Sequence, residues 1–144
     1  MRVYFDNCAL NRSFDDQKNN QVKIESEAVA KILEMVRSHS IELVWSSTID
    51  YENGLSKVSE RRESVAQWKS YAVADIFVTE KVSELSSKLL ESGLGKMDSL
   101  HIASAVEGSA DYFVTTDRGI VKRRDKVREL KILNPLELLG IIEK

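Results

Sequence analysis

Short runs of β-branched and aromatic residues alternate along the chain with longer segments in which apolar residues recur every three or four positions. The short runs predict five strands, at 3–5, 43–45, 76–78, 112–114 and 132–133. The longer segments predict helices at 22–38, 79–91 and 97–107. Because helices separate the strands, the connections favour a mainly parallel sheet that is covered on both faces. The predicted fold class is α/β, a three-layer α/β/α sandwich.

Length and composition predict one domain over residues 1–144, because the chain has a single proline and no linker, repeat or low-complexity segment. Its 21 Lys and Arg residues against 23 Asp and Glu residues exclude a polycation that coats DNA. One cysteine and two histidines exclude an internal disulfide and a zinc cage. Without a membrane-length apolar run or a signal peptide, we expect a cytoplasmic protein.

Acidic residues follow the predicted strands at the points where a parallel sheet binds its ligands. Asp6 comes directly after the first strand, and Asp117 follows the strand at 112–114 after two threonines. Glu52 lies in the helix after the second strand, and Asp98 stands at the start of the helix at 97–107. Each acid alone is compatible with a loop, a helix cap or a solvated surface. Together they can face one edge of the sheet.

A shared crevice of these carboxylates would need cations, because neighbouring negative charges repel and raise one another's pKa values. Oxygen ligands without usable Cys or His favour Mg²⁺ or Mn²⁺ over zinc. One or two such ions over a crevice are suited to in-line displacement at phosphorus. The predicted chemistry is therefore hydrolysis of a phosphodiester.

The ordered set of motifs resembles PIN domains, metal-dependent nucleases that include the VapC toxins of toxin–antitoxin pairs. The segments that carry the resemblance are 3–10, 45–52, 96–105, 112–117 and 134–137. The resemblance implies RNA cleavage with Mg²⁺ or Mn²⁺ held by Asp6, Asp98 and Asp117. It further implies that Glu52 completes the catalytic cluster and that Thr115 supports Asp6 or a ligand water by hydrogen bonding.

The sequence departs from the usual family opening at Asn7 and Cys8, where Asp-Thr-Asn or Asp-Thr-Ser is common. Cys8 is a weak hydrogen-bond partner, so either Asn7 compensates or the chain belongs to a subgroup with different surroundings of the site. We expect Cys8 to be a small buried residue. We interpret His101, one helical turn after Asp98, as structural.

Basic residues concentrate at 118–131, with seven Lys or Arg against two acids. Because this run begins beside Asp117, it predicts RNA phosphate contacts, or else a solvated helix, at Arg118, Lys122, Arg123 and Arg124. A second, weaker set for the same task is Arg61, Arg62 and Lys69. The polar segment 11–17 predicts a loop or a rim that contacts substrate.

Apolar residues at near-helical spacing predict a partner surface or internal packing at Leu55, Val58, Val65 and Trp68. In PIN toxins, the corresponding region forms a homodimer and receives the tail of a protein antitoxin, so the resemblance implies both partners here.

The leading hypothesis is therefore a metal-dependent endoribonuclease, the toxin of a toxin–antitoxin pair. The alternative is a non-catalytic PIN-like module that binds nucleic acid or protein. A phosphoreceiver switch and an Asp-x-Asp phosphatase fit poorly, because Asn7 and Cys8 follow Asp6.

Overall fold

The centre of the fold is a five-stranded parallel sheet with strand order β3-β2-β1-β4-β5. The computed structural model describes residues 1–144. Its strands are β1 (Arg2–Phe5), β2 (Glu42–Ser46), β3 (Ala72–Ile76), β4 (Tyr112–Val114) and β5 (Lys131–Leu133). The central strand β1 pairs with β2 on one side and with β4 on the other. The predicted parallel sheet is confirmed.

Eight α-helices connect and cover the strands. They are α1 (Asn7–Leu10), α2 (Asn20–Arg37), α3 (Ser47–Gly54), α4 (Ser59–Ala66), α5 (Glu80–Leu90), α6 (Lys96–Glu107), α7 (Arg118–Lys122) and α8 (Pro135–Ile142). Helix α2 packs against α8, and α5 packs against α6, which also contacts β2 and β3. These helix pairs form the outer layers of the predicted α/β/α sandwich. None of the helices combines the length and the apolar character that crossing a membrane requires.

The core lies along the three middle strands, where the side chains are fully buried. Tyr4, Trp45 and Phe113 have no solvent exposure, and Tyr4 stacks on Phe113 with ring centroids 5.5 Å apart. Helix α6 is buried over most of its length, as its apolar sequence predicts. Because the middle strands are fixed by packing on both faces, the residues directly after them are held rigidly.

The predicted strand at 76–78 is misplaced, because β3 spans Ala72–Ile76 and shares only Ile76 with it. Phe77 and Val78 lie after the strand and are 65% and 49% exposed. The β3 strand is at the edge of the sheet and is only partly buried. It can therefore form from alanines and Asp75, without a run of large apolar residues. Pairing with β2 overrides the stronger strand propensity of the residues that follow.

The predicted partner surface is wrong in part. Leu55 and Val58 are exposed, but Val65 and Trp68 are buried in the core. Leu55 follows α3 and Val58 precedes α4, so the four residues do not share one helix face.

Candidate active site

Asp6 and Thr115 join the carboxyl ends of two middle strands. Asp6 follows β1 and is 2% exposed. Its Oδ1 accepts from the backbone N–H of Ala9 at 3.0 Å, and its Oδ2 accepts from the Thr115 hydroxyl at 2.5 Å. Thr115 follows β4, and its Oγ1 also accepts from the backbone N–H of Asp117 at 3.0 Å. The hydrogen bond that the resemblance implies between Thr115 and Asp6 is therefore present.

Asp117 and Asp98 stand at the starts of two helices but differ in their bonding. Asp117 caps α7, where its Oδ1 accepts from the backbone N–H groups of Gly119 at 2.7 Å and Ile120 at 3.2 Å. Asp98 lies in the first turn of α6, whose cap is Gly95, and its carboxylate accepts no hydrogen bond. Helix capping therefore does not account for Asp98.

Glu52 is held by a buried histidine. Its carboxylate Oε1 lies 2.8 Å from Nε2 of His101, which is 1% exposed on α6. The other ring nitrogen, Nδ1, lies 2.6 Å from the Tyr4 hydroxyl, which in turn lies 2.6 Å from Ser46 Oγ. The structural interpretation of His101 holds, and the contact with Glu52 adds to it.

Sequence reasoning did not find Tyr4. The available signal is a tyrosine in a short apolar strand, since the hydroxyl of a buried tyrosine needs a hydrogen-bond partner. Tyr4 is also two residues before Asp6. Residues at this spacing point to the same side of a strand.

Asp6, Glu52, Asp98 and Asp117, which we call the carboxylate edge, act on one another electrostatically. Burial raises the pKa of Asp6 to about 6, Thr115, Ala9 and His101 oppose the rise, and the charge of Asp98 adds to it. Burial also raises the pKa of Asp98, and the charges of Asp117 and Glu52 contribute. Burial is the larger cause of both shifts. No Lys or Arg forms an ion pair with any of the four acids, so the cations of the protein do not neutralise their charge.

The thiol of Cys8 is affected by the charges of the same four acids. Partial burial raises the pKa of its thiol to about 12, and all four acids of the carboxylate edge contribute after burial. The expectation that Cys8 is a buried residue is wrong: neighbouring protein atoms partly desolvate its thiol, but the residue as a whole is exposed to solvent on α1. Asn7 beside it is 7% exposed, and its Oδ1 has no hydrogen-bond partner. Asn7 therefore makes no hydrogen bond through Oδ1 that would compensate for Cys8.

The carboxylate edge fits an open, hydrated metal site better than a closed cage. No three His, Cys, Asp or Glu side chains lie close enough together to form a preassembled metal site. Mg²⁺ does not require one, because it retains several waters and binds through one or two carboxylates together with substrate phosphates. The donors present are carboxylate oxygens with unneutralised charge, which are suited to such a hard cation.

A groove of about 590 Å³ opens beside the carboxylate edge. Asn7, Cys8, Glu52 and Asp117 line it together with two arginines, Arg12 and Arg61.

Both arginines of the groove are held in place. Arg12 pairs with Glu25 at 2.7 Å and with Asp15 at 3.1 Å. Arg61 donates to the carbonyl of Phe14 at 2.7 Å. The polar segment 11–17 thus contributes to the rim, as one interpretation of the sequence predicts.

The basic run at 118–131 lies outside this groove. Arg124 donates to both carboxylate oxygens of Glu137 at 2.8 and 3.0 Å, so a phosphate would compete with Glu137 there, and its phosphate contact stays a prediction. Arg118 and Lys122 are exposed on α7, whose cap is Asp117. Arg123 follows α7 and donates to the carbonyl of Gly119 at 3.1 Å. These three remain beside Asp117.

The other predicted cations have separate roles. Arg62 donates to the carbonyl of Ser56 at 2.6 Å, and Lys69 pairs with Asp50 at 2.9 Å. Of the second basic set, only Arg61 lines the groove.

Comparisons with known proteins give structural likeness only. No protein-family model matches the sequence, and no curated protein matches it. Among solved structures, a chain of VapBC2 from Rickettsia felis, bound to a DNA fragment from their promoter, matches with a TM-score of 0.59 and 18% identity over 93% of this chain and 98% of that chain. FitAcB from Neisseria gonorrhoeae matches with a TM-score of 0.59 and 15% identity over 93% and 98%. PAE2754 from Pyrobaculum aerophilum matches with a TM-score of 0.58 and 15% identity over 99% and 98%.

These matches span almost the whole of each chain. They confirm that the protein has the PIN-domain fold that the order of its motifs predicts.

Proposed function

We propose that this chain, with its PIN-domain fold, is an endoribonuclease that depends on Mg²⁺ or Mn²⁺ and hydrolyses RNA phosphodiester bonds. The observation that supports the proposal most directly is that Asp6 and Asp117 follow the adjacent strands β1 and β4 and are joined through the Thr115 hydroxyl, while Glu52 and Asp117 line one groove. Residues far apart in sequence thus supply negative charge to one edge of the sheet. In parallel α/β folds, ligands bind at this edge.

Asp6, Asp98 and Asp117 are the proposed metal ligands. Asp6 is fixed in orientation by Ala9 and Thr115, and Asp98 has no competing hydrogen bond. Asp117 uses Oδ1 to cap α7 and keeps Oδ2 free of hydrogen bonds. A bound divalent ion would lower the pKa of an attacking water and stabilise the departing oxygen.

Glu52 is the proposed fourth member of the cluster. Oε1 is bonded to His101, while Oε2 has no hydrogen bond within the chain. The side chain is 35% exposed and lines the groove, so Oε2 can accept from a water there.

RNA would be held by cations on two sides of the carboxylate edge. Arg12 and Arg61 line the groove on one side, and Arg118, Lys122 and Arg123 lie beside Asp117 on the other. Such contacts bind phosphates without reading the bases.

The proposed biological role is the toxin of a toxin–antitoxin pair. The support is the likeness of the chain to VapBC2 and FitAcB over more than nine-tenths of its length. A protein antitoxin and a homodimer are the proposed partners. The exposed Leu55 lies at the groove and offers an apolar contact for a protein chain.

The test is cleavage of total RNA by the purified protein, free of any antitoxin, with Mg²⁺, with Mn²⁺ and with a chelator. We expect cleavage only with a metal ion, and none by Asp98→Asn. The melting temperature of Asp98→Asn should equal or exceed that of the wild type, because the substitution relieves charge repulsion. Asp125→Asn, an exposed change away from the carboxylate edge, is the matched control and should cleave normally.

The alternative function, a non-catalytic binding module, predicts a different outcome. Wild-type protein that binds RNA but cleaves none with either metal would favour the module and overturn the nuclease.

A further inference from the structure

A ring of buried polar groups links the helix that carries Glu52 to the helix that carries Asp98. Ser46 Oγ accepts from the backbone N–H of Ile49 at 3.1 Å and thereby caps α3. From Ser46 the contacts run to the Tyr4 hydroxyl, to His101 and to Glu52, with distances of 2.6, 2.6 and 2.8 Å. Glu52 lies on α3, so the ring closes through that helix. Ser46 and Tyr4 are fully buried.

Only one direction of the ring gives every hydrogen an acceptor. If Ser46 donates to Tyr4, then Tyr4 donates to Nδ1 of His101, and the remaining N–H at Nε2 donates to Glu52. If Tyr4 instead donates to Ser46, the buried Ser46 hydroxyl has no acceptor left. A buried hydrogen-bond donor without a partner costs about 1–3 kcal/mol. The first direction is therefore favoured.

We propose that Tyr4 and His101 are positioning residues for Glu52, with His101 held as the neutral tautomer that carries its proton on Nε2. This inference rests on the proposed function for its catalytic consequence. His101 occupies Oε1 of Glu52, which lines the groove, and leaves Oε2 without a hydrogen bond in the chain. Tyr4 selects the tautomer, because its hydroxyl donates to Nδ1.

The ring also sets the spacing of three acids on separate elements. Tyr4 is two residues before Asp6, and His101 is one helical turn after Asp98. Ser46 caps the helix that carries Glu52. The hydrogen bonds thus connect β1, α3 and α6 immediately behind the carboxylate edge, where a displacement of about 1 Å can cost a factor of 10² in rate.

Kinetics of His101 variants test the catalytic consequence. His101→Leu should lower kcat about 10- to 100-fold with little change in KM, which is the usual loss when a hydrogen-bonding residue that supports a metal site is removed. His101→Gln should restore much of kcat, because its amide N–H can reach Glu52. Ser104→Ala is the matched control: Ser104 is buried on the same helix and bonds only to the carbonyl of Leu100.

A double-mutant cycle separates positioning from general loss of structure. If His101 acts through Glu52, His101→Leu should cost little more in the Glu52→Gln background than Glu52→Gln costs alone. If the two substitutions instead reduce kcat by independent factors that multiply, the positioning role is overturned. A His101→Gln variant as inactive as His101→Leu would overturn it as well.

Nuclear magnetic resonance of the ring nitrogens tests the tautomer without any activity. Wild type should show a protonated Nε2 and an unprotonated Nδ1 at His101, and Tyr4→Phe should yield a mixture of tautomers. A protonated Nδ1 in the wild type would overturn the proposal.

The two proposals fail in different ways. A wild type that never cleaves RNA removes the nuclease function, while the tautomer measurement still decides the direction of the ring. If the wild type cleaves RNA but the His101 and Glu52 substitutions reduce kcat independently of each other, the nuclease function stands and the positioning role is overturned.

Discussion

The hydroxyl of Thr115 donates to Asp6, a residue 109 positions earlier in the chain, and accepts from the backbone N–H of Asp117. One small side chain thus connects two proposed metal ligands at the ends of adjacent strands. Its bond to Asp6 favours the ionised carboxylate against the effect of burial. Thr115 therefore influences both where Asp6 lies and how readily it loses its proton.

Replacing Thr115 by valine should raise the pKa of Asp6 above its value of about 6. A hydrogen bond to a charged group contributes about 1.5–3 kcal/mol, equivalent to one or two pH units. In the metal-free protein, the titration of the Asp6 carboxyl group, followed by nuclear magnetic resonance, should move upward by about that amount. Thr115→Ser retains the hydroxyl and should behave like the wild type. An unchanged titration in the valine variant would show that the bond does not control Asp6.

Asp6 should make the folded protein less stable as the pH rises from about 4 to 6. The carboxyl binds its proton more tightly when folded, with a pKa of about 6, than when unfolded, where 3.8 is usual. The free energy of unfolding therefore falls by about 3 kcal/mol in total across that window and is level above it. Denaturant unfolding of the wild type and of Asp6→Asn at pH 4.5 and 7.5 measures the effect. Between pH 4.5 and pH 7.5 the wild type should lose stability relative to the variant. The opposite trend would contradict a raised pKa of Asp6 in the folded protein.

The Cys8 thiol should react slowly with alkylating agents at pH 7.5, because its pKa is about 12 and the reactive form is the thiolate. Added Mg²⁺ should accelerate the reaction if it binds the carboxylate edge, since it neutralises charges that raise this pKa. Asp98→Asn should accelerate it without metal. Alkylation of a small free thiol under the same conditions is the control. If neither Mg²⁺ nor Asp98→Asn changes the alkylation rate, the acids lie too far from Cys8 to affect the pKa of its thiol.

Arg61 and Arg124 should differ in their effect on RNA binding. Arg61 lines the groove and has one acidic partner, Asp15, at 3.4 Å, whereas Arg124 lies outside the groove and donates to both carboxylate oxygens of Glu137. Arg61→Gln should weaken binding and reduce the salt dependence of the binding constant by about one phosphate contact. Arg124→Gln should leave the salt dependence unchanged. RNA binding of both variants is measured from low to moderate salt in an inactive Asp98→Asn background. Equal dependence of the binding constant on salt in the two variants would contradict the proposal that RNA lies along the groove.

The sequence indicated where Asp6 and Asp117 lie because residues directly after parallel strands share one edge of the sheet, whereas Asp98 begins α6 after another helix and is not placed by this rule. It misplaced β3 because an edge strand needs little hydrophobicity of its own, while Phe77 and Val78 have strong strand propensity without pairing. The strands at 3–5, 43–45 and 112–114 were predictable because they are buried on both faces and therefore strongly apolar.

Contacts between distant side chains lay beyond sequence reasoning. The pairing of Arg124 with Glu137 and the bond between His101 and Glu52 join separate elements. A run of like charges does not reveal which members are paired. Cys8 follows a buried acid in sequence, yet the short α1 turns it outward, which no hydrophobic pattern indicates.

The position of β1 in the middle of the sheet affects how the protein can mature on the ribosome. Its first neighbour, β2, emerges early, but its other neighbour, β4, is synthesised only after most of the chain. Because domains form as units and ribosomes add about 5–20 residues per second, the nascent polypeptide spends seconds without Asp117, the last of the four acids to be synthesised. Premature release of a truncated product would therefore yield a protein that lacks Asp117 and the Thr115 anchor, and hence has no complete cation-binding cluster.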